Sequence, residues 1–292
     1  MDDVAVLRRF NRSYTQRIGV LAESYLDTGR PLGLSRLLFE IGTSGAGIAE
    51  LRRRLGLDSG YLSRMMRQLE QEGLVVVEPD PADGRQRIVR LTADGRHEWH
   101  RLEERSEATA RRLVDPLSAR QRAELAGALA AADRLLRAAT VDIDEVDPRS
   151  AEAQSAMAQY FAELDDRFPT GFDPGDGGAA ADVVELRAPH GAFLVMRSDL
   201  DLVGCGGVQR IDAQTGEVKR MWIHPAWRGL GLGARMLARL EDAARVLGRT
   251  RVVLDTNASL TEAIAMYGRA GYRSIERYND NPYAERWFAK DL

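Results

Sequence analysis

The chain has 292 residues, 44% of them hydrophobic and 29% charged, with a formal net charge of −3. That is enough apolar material for two ordinary cores. No apolar run approaches the ~18 residues that cross a bilayer, and Met1-Asp2-Asp3-Val4 lacks the layout of a signal peptide. A single cysteine, Cys205, excludes an internal disulfide and makes a reducing, cytoplasmic setting the expectation.

Charge is uneven along the chain. Residues 1–140 carry 23 arginines against 20 acidic residues, whereas the remainder carries 18 basic against 24 acidic. The basic excess is small, but it points to an anionic partner for the first half. Leu7, Phe10, Tyr14, Ile18, Leu21 and Tyr25 step by three or four, which predicts a long amphipathic helix. Thr28-Gly29-Arg30-Pro31 breaks it. Short helices are expected over Ser35–Ile41 and Gly47–Leu55, the second ended by Gly56. Asp58-Ser59 can cap a further helix through Tyr61, Leu62, Met65, Met66 and Leu69. Gly73 stops that helix.

Leu74–Val77 and Arg87–Leu91 are strand-like and flank Asp80-Pro81-Ala82-Asp83-Gly84-Arg85, a hairpin with an arginine-bearing tip. Helix, short glycine turn, capped helix and hairpin make a winged helix-turn-helix. The exposed face of the capped helix offers Ser59, Tyr61, Ser63, Arg64, Arg67 and Gln68. A guanidinium there can grip guanine O6 and N7, and hydroxyls can reach bases or phosphates of double-stranded DNA. Arg85 can enter a narrow minor groove, while Asp83 and Arg87 can brace the hairpin as an ion pair. A plain solvated arginine face is the alternative. Asp83-x-Arg85-x-Arg87-x-x-x-Leu91-Thr92, Leu62-Ser63-Arg64 and Leu69-Glu70-x-x-Gly73-Leu74 together resemble the MarR family of regulators over about residues 5–138.

Two long helices follow, Ala93–Val114 and Ser118–Ala138, split by Asp115-Pro116. Leu125, Leu129, Leu135 and Leu136 give the second an apolar stripe. With the first helix of the chain, that is more apolar face than one small domain needs, so a homodimer is expected. The MarR resemblance implies the same dimer, with a pocket for a small-molecule effector between dimer helices and reading heads. His97 and His100 share a helical face without cysteine or carboxylate at ligand spacing, and no metal is expected.

Thr140–Ser150 is acidic and proline-punctuated, either a linker or the first strand of a second domain. Ala151–Phe168 reads as a helix. Pro169–Ala181, rich in glycine, proline and alanine and containing Phe172, reads as a mobile loop beside an acceptor site. Gly191–Met196 and Leu202–Arg210 form a hairpin; Glu217–Ile223 is a central strand, Arg251–Asp255 the next, and Arg286–Ala289 closes the sheet. Thr261–Ala270 is a helix terminated by Gly271. Cys205, within Val203-Gly204-Cys205-Gly206-Gly207, reads as a buried strand thiol.

After the central strand, His224-Pro225 ends pairing because proline has no N–H. Arg228-Gly229-Leu230-Gly231-Leu232-Gly233 then opens a helix marked by Leu232, Met236, Leu237, Leu240, Ala243, Ala244 and Leu247. Glycines at a helix start let an anion approach free N–H groups at the positive end of the dipole, and a diphosphate is the expected guest. This Arg-x-x-Gly-x-Gly resembles the acetyl-CoA signature of the GNAT N-acetyltransferase superfamily, with a match extending over about Val141–Leu292. The resemblance implies that Arg228 and the N–H groups of Gly229, Leu230, Gly231, Leu232, Gly233 and Ala234 hold the pyrophosphate, and that Met221, Trp222 and Ile223 pair with the pantetheine arm.

Ala263-Ile264-Ala265-Met266-Tyr267-Gly268-x-x-Gly271-Tyr272 resembles the GNAT helix whose tyrosine protonates the CoA thiolate, which makes Tyr267 the expected acid. A backbone N–H near Met221 can polarise the thioester carbonyl. Glu217 is the candidate base, placed by strand alternation on one face with Lys219 and Met221; an ordinary Glu217–Lys219 surface pair is the alternative. Many family members carry asparagine seven positions before the tyrosine, where this chain has Leu260. Tyr278, Asn279, Asn281 and Tyr283 resemble a segment in which GNAT enzymes bind the acceptor, although a turn explains Asn-Asp-Asn-Pro equally.

The expected fold is α+β in two domains. A mainly helical winged helix-turn-helix domain over 1–140 precedes a GNAT mixed α/β domain over 141–292, built on a mostly antiparallel sheet. The expected function joins transcriptional regulation to acetyl transfer from acetyl-CoA onto a small amine or amino-acid-like acceptor. Two alternatives stay open: an acetyl-CoA sensor without catalysis, and an enzyme that uses the winged half only to dimerise.

Overall fold

A computed structural model describes residues 2–22, 24–81, 84, 86–168, 171–173, 183–199 and 201–292. The chain divides into two compact units, Met1–Ala126 and Gly127–Leu292. In the first, α1 (Asp3–Arg17) is shorter than its periodicity predicts. Gly19 takes φ +71°, and the N–H groups of Gly19 and Val20 turn back to Gln16 O and Thr15 O. This is a Schellman ending, which the apolar spacing runs straight past; Tyr25–Asp27 beyond it form a separate 3-10 turn. No residue of α1 is buried, and its Val4, Leu7, Phe10 and Tyr14 face outward.

Helices α2 (Leu32–Ile41), α3 (Ile48–Leu55) and α4 (Ser59–Gln71) pack with a small sheet. Its strands β1 (Ala46–Gly47), β2 (Val75–Pro79) and β3 (Arg87–Leu91) run antiparallel in the order β1-β3-β2. Leu37, Leu38, Leu51, Leu62, Leu69 and Val89 are fully enclosed at the centre of this unit. Helix α5 (Ala93–Val114) starts at Thr92, whose hydroxyl accepts from Gly95 N and donates to Gly73 O at 2.6 Å. One side chain thereby caps the helix and fixes the base of the hairpin.

Helix α6 (Ala119–Ala139) ends in the second unit, where Ala138 joins the core. The segment after it contains β4 (Asp142–Glu145), which pairs antiparallel with β5 (Gly191–Ser198), so the linker-or-strand alternative resolves to a strand. With β6 (Asp201–Arg210), β7 (Thr215–Ile223), β8 (Arg251–Thr256), β9 (Arg273–Ser274) and β10 (Arg286–Asp291) the sheet runs β4-β5-β6-β7-β8-β10-β9. Alternation in β5 feeds two cores: Ala192, Leu194 and Met196 point to one, Phe193 and Val195 to the other. The first is covered by α8 (Leu232–Val246) and α9 (Thr261–Arg269), the second by α7 (Ala151–Arg167).

Two irregularities create the site. The first is that β7 and β8 are the sheet's one parallel pair, and their pairing stops at Glu217↔Val253 although β7 continues to Ile223 and β8 to Thr256. Past Glu217 the two strands separate into a wedge. The second is a β-bulge: Lys219 pairs with Gly207 and Trp222 with Cys205, leaving Arg220 and Met221 opposite Gly206. Arg220 adopts φ +55°, a left-handed conformation that costs a non-glycine residue about 1 kcal/mol. Facing the bulge, a Cβ on Gly206 would lie 2.8 Å from Leu240 Cδ1.

Candidate functional site

The wedge leads to the glycine loop. Beyond Ile223, His224 Nδ1 accepts from Ala226 N, and Pro225–Trp227 make one 3-10 turn. Gly229 and Gly231 follow at φ +75° and +76°. A Cβ on either would meet nothing within 4 Å, so backbone conformation alone demands glycine at both. Gly231 is the N-cap of α8 and no side chain caps the helix, which leaves first-turn N–H groups for a guest. Gly233 is helical, yet a Cβ there would reach 3.0 Å from Met266 Sδ and 3.9 Å from Met221 Cε.

A cavity of about 540 Å³ opens at this point. Its lining contains Met221, Trp222, Ile223, Arg228, Gly229, Gly231, Leu232, Gly233 and Ala234, so nine of the ten predicted cofactor residues come together. The tenth, Leu230, packs its side chain against the core. Open amides at one end, apolar walls along the wedge, and a glycine whose Cβ would obstruct the slot fit a diphosphate carried on an apolar arm.

Arg228 does not face this cavity alone. Its Nε donates to Ile223 O at 2.9 Å, and its Nη2 donates to both oxygens of Glu163 at 2.6 and 2.5 Å. Glu163 also accepts from Trp222 Nε1 at 2.7 Å and pairs with Arg167 Nε at 3.0 Å. Burial works to raise the Glu163 pKa, but the bonds from Arg228 and Trp222 outweigh it and hold the group below its usual range. Glu163 therefore ties two predicted cofactor residues to α7. Only its (i, i+4) spacing from Arg167 hinted at it, since its other partners lie about sixty residues away.

A second cavity of about 880 Å³ shares Tyr160, Leu164, Met221, Leu260, Ala263 and Tyr267 with the first. Tyr267, 7% exposed, packs its ring against Tyr272 and Phe288, and its hydroxyl bonds to no group among the described residues. Burial, with lesser contributions from Tyr160 and Asp255, raises its pKa far above the ordinary phenol value. Tyr160, which the sequence marked only as a helix residue, is pushed up to about 12 by burial despite the opposing charge of Arg220.

Glu217 is 4% exposed, which excludes the ordinary surface pair with Lys219. It accepts from Gln209 Nε2 at 2.7 Å, Tyr278 OH at 2.8 Å and Asn279 Nδ2 at 3.2 Å, and Lys219 Nζ lies 3.9 Å away. Alternation placed Met221 on the same face, but the bulge at Arg220 reverses the pattern, and Met221 packs against the α8 core instead. The predicted acceptor residues Tyr278, Asn279, Asn281 and Tyr283 all line this larger cavity.

Asn279 and Asn281 both donate to Asp255, the latter at 3.0 Å, and Trp287 Nε1 donates to Asn279 Oδ1 at 2.9 Å. Burial and the neighbouring Glu217 charge raise the Tyr278 pKa. Asp255 escaped the sequence reading because it closes an apolar strand, where one carboxylate looks like a strand end. At the position of the family's asparagine, Leu260 lines both cavities, while Asn257 donates to Tyr283 O at 3.0 Å.

In the first unit, Asp58 caps α4 by accepting from Tyr61 N at 2.8 Å. Leu62, Met65, Met66 and Leu69 are buried, which leaves Ser59, Tyr61, Ser63, Arg64 and Arg67 exposed on one surface. The Arg64 guanidinium lies 5.6 Å over the Tyr61 ring, and Arg67 Nε donates to Ser63 O. Arg87 is exposed on the hairpin and donates to Val77 O at 3.3 Å. The predicted tip residue Arg85, and Asp83 as a brace for Arg87, lie outside the described residues.

Comparison with known proteins bears on both units. The model of the Acetyltransferase (GNAT) family matches residues 154–272, and that of the MarR family matches residues 35–86. A protein of Azospirillum brasilense named IAA acetyltransferase is 36% identical over 126 residues, 42% of this chain and 81% of that protein. N-alpha-acetyltransferase RimI of Mycobacterium tuberculosis is 34% identical over 123 residues, 41% of this chain and 75% of that protein. A crystal structure of a mutant MarR from E. coli complexed with operator DNA aligns over 43% of this chain and 91% of that one, with 23% identity and a TM-score of 0.37. Acetyltransferases of the GNAT fold use acetyl-CoA. The chain thus belongs to the GNAT acetyltransferase family, and its residues 35–86 match the MarR family model.

Proposed function

We propose that this chain is a bifunctional regulator: the domain over about residues 1–140 binds operator DNA as a homodimer, and the domain over 141–292 transfers acetyl from acetyl-CoA to a small, amino-acid-like amine. The observation that carries the catalytic half is the meeting of two cavities at Tyr267, one edged by open helix amides and the other by buried Glu217 and half-buried Asp255. When bound, acetyl-CoA supplies the acyl group as a thioester. The first-turn N–H groups of α8, with Arg228, hold its diphosphate, and Met221 to Ile223 line the slot for its arm. The backbone at the bulge presents N–H groups that β8 does not pair, which suits them to polarise a carbonyl.

Glu217 takes the amine proton through Tyr278, whose hydroxyl already donates to it. The raised Tyr278 pKa keeps that relay a phenol at neutral pH. Tyr267 gives its proton to the leaving thiolate; burial that strengthens its hold on the proton disfavours the thiolate charge as well. On the winged half, the exposed arginines of α4 and the hairpin give affinity through phosphates and selectivity through base edges. A small-molecule effector related to the acceptor couples the two activities.

The test is thiol release from acetyl-CoA against an amine panel, together with mobility shifts on upstream DNA with and without acetyl-CoA and acceptor. Release that depends on amine, and DNA affinity that changes with acceptor, are the expected results. Tight acetyl-CoA binding without release marks a sensor, and DNA affinity lacking steep salt dependence marks a dimerising scaffold.

A further inference from the structure

Arg235 stands where helix physics argues against a cation. It is the fourth residue of α8, in the turn whose amides form the positive end of the dipole. Its guanidinium is engaged elsewhere: Nη1 donates to Ala138 O at 2.8 Å and Nη2 to Val141 O at 3.0 Å. Ala138 lies in the last turn of α6 and Val141 just beyond it, where helical carbonyls run out of partners and a cation is favoured. One side chain thus opposes the dipole of its own helix and matches that of another.

A second arginine makes the connection from α6. The Arg137 guanidinium lies 5.0 Å over the ring of Trp227, which is 7% exposed and lines the smaller cavity. Arg137 also donates to Ser198 O at 3.1 Å and pairs with Asp201, so it is anchored to the sheet. Ala138 and Val141 share one buried cluster with Trp227, Leu232 and Met236. Arg235 itself does not line the cavity. The glycine loop and the first turn of α8 therefore rest on the end of a helix 94 to 97 residues earlier in the chain.

We propose that the end of α6 is a working part of the acetyl-CoA site, joined to it by Arg235 as a positioning residue, so that cofactor uptake stiffens α6. The inference rests on the cofactor reading above. A diphosphate on the first-turn amides orders residues 231–234, and Arg235, next in the chain, passes that order to the two carbonyls it holds. Linkage requires the converse: a frayed α6 end leaves the loop unset and weakens cofactor binding. Helix α6 starts in the first unit and ends in the second, so occupancy of the slot registers on a helix that both units share.

The test compares the full-length parent with Arg235→Gln and Arg235→Lys. Calorimetry should show acetyl-CoA bound about tenfold more weakly by Arg235→Gln. Lysine keeps the charge but lacks the planar fork that holds two carbonyls, so it should remain at least fivefold weaker than the parent. Amide hydrogen exchange over residues 134–141 is read with and without saturating acetyl-CoA. Exchange should slow at least fivefold in the parent and less than twofold in Arg235→Gln. The parent measurement stands whether or not the variants fold, which thermal melts check. Full recovery by lysine makes Arg235 a mere surface charge and overturns the inference. Equal protection in parent and Arg235→Gln, or no change in the parent, overturns it too. Absence of acetyl-CoA uptake by the parent removes the cofactor reading and the inference together, whereas uptake without a response in α6 removes the inference alone.

Discussion

Replacing Tyr267 by phenylalanine removes one oxygen from the junction of the two cavities. The hydroxyl bonds to no described group, while the ring packs on Tyr272 and Phe288 at 5.8 and 6.0 Å. The variant keeps those ring contacts and loses no hydrogen bond of the fold, so its stability should stay within about 1 kcal/mol of the parent. The hydroxyl is not among the buried atoms left without a partner and Tyr267 lines both cavities, so no gain in stability is expected either. Catalysis should behave differently. A positioned general acid typically contributes about 10²–10⁴-fold, and at ~1.36 kcal/mol per tenfold that is about 3–5 kcal/mol of barrier. The paired assays are urea unfolding and thiol release under saturating acetyl-CoA, with KM for acetyl-CoA measured alongside. The expected result is an unchanged unfolding midpoint, a KM within a fewfold of the parent, and kcat down at least a hundredfold. An unchanged kcat refutes the acid assignment. A loss of more than about 2 kcal/mol of stability refutes the claim that the hydroxyl serves only the site.

Glu217→Gln keeps the size of the side chain and an acceptor for Tyr278 but removes the charge, so kcat should fall about a hundredfold with little change in acetyl-CoA affinity, as steady-state kinetics will show. Alkaline stability should fall steeply. Tyr160 and Tyr267 hold their protons above pH 10 in the folded state, whereas the unfolded chain releases them near pH 10. Between pH 10 and about 12, unfolding is therefore favoured by about 1.4 kcal/mol per pH unit for each of the two, and urea midpoints across that window test the slope. Gly95→Ala would drive a Cβ into Leu74 O and to 2.9 Å from Leu74 C, displacing α5 from the hairpin base; a loss of about 3 kcal/mol in the first unit is expected by denaturation. Arg64→Ala with Arg67→Ala should lower operator affinity at least tenfold and flatten the dependence of log K on log salt, measured by mobility shift.

The local code of this sequence carried most of the fold. Helix α5 and strand β3 fall where periodicity and turn residues place them, and Asp58 caps α4 through its side chain as its residue type implies. The glycine loop was legible because φ above zero at Gly229 and Gly231 leaves few other residues to choose from. Most of what stayed hidden depends on contacts far apart in sequence, the local end of α1 excepted. The end of α1 was missed because the apolar spacing continues past Gly19 although the backbone does not. The bulge at Arg220 has no signature, since arginine is a poor choice for a left-handed position, and it inverts the facing of Met221. Glu163 and Asp255 look like ordinary charges until Trp222 and Arg228 meet the first and Asn279 and Asn281 meet the second. Glu217 was identified by position, but its three hydrogen-bond donors came from the opposite hairpin strand and the C-terminal loop.

The most direct measurement is a calorimetric titration of acetyl-CoA into the full chain and into Gly233→Asp, which places a carboxylate among the first-turn amides of α8 and beside Met266. One site per chain in the parent, and no detectable binding in a variant that still melts cooperatively, is the predicted result. No uptake of acetyl-CoA by the parent, or equal uptake by both, would contradict it.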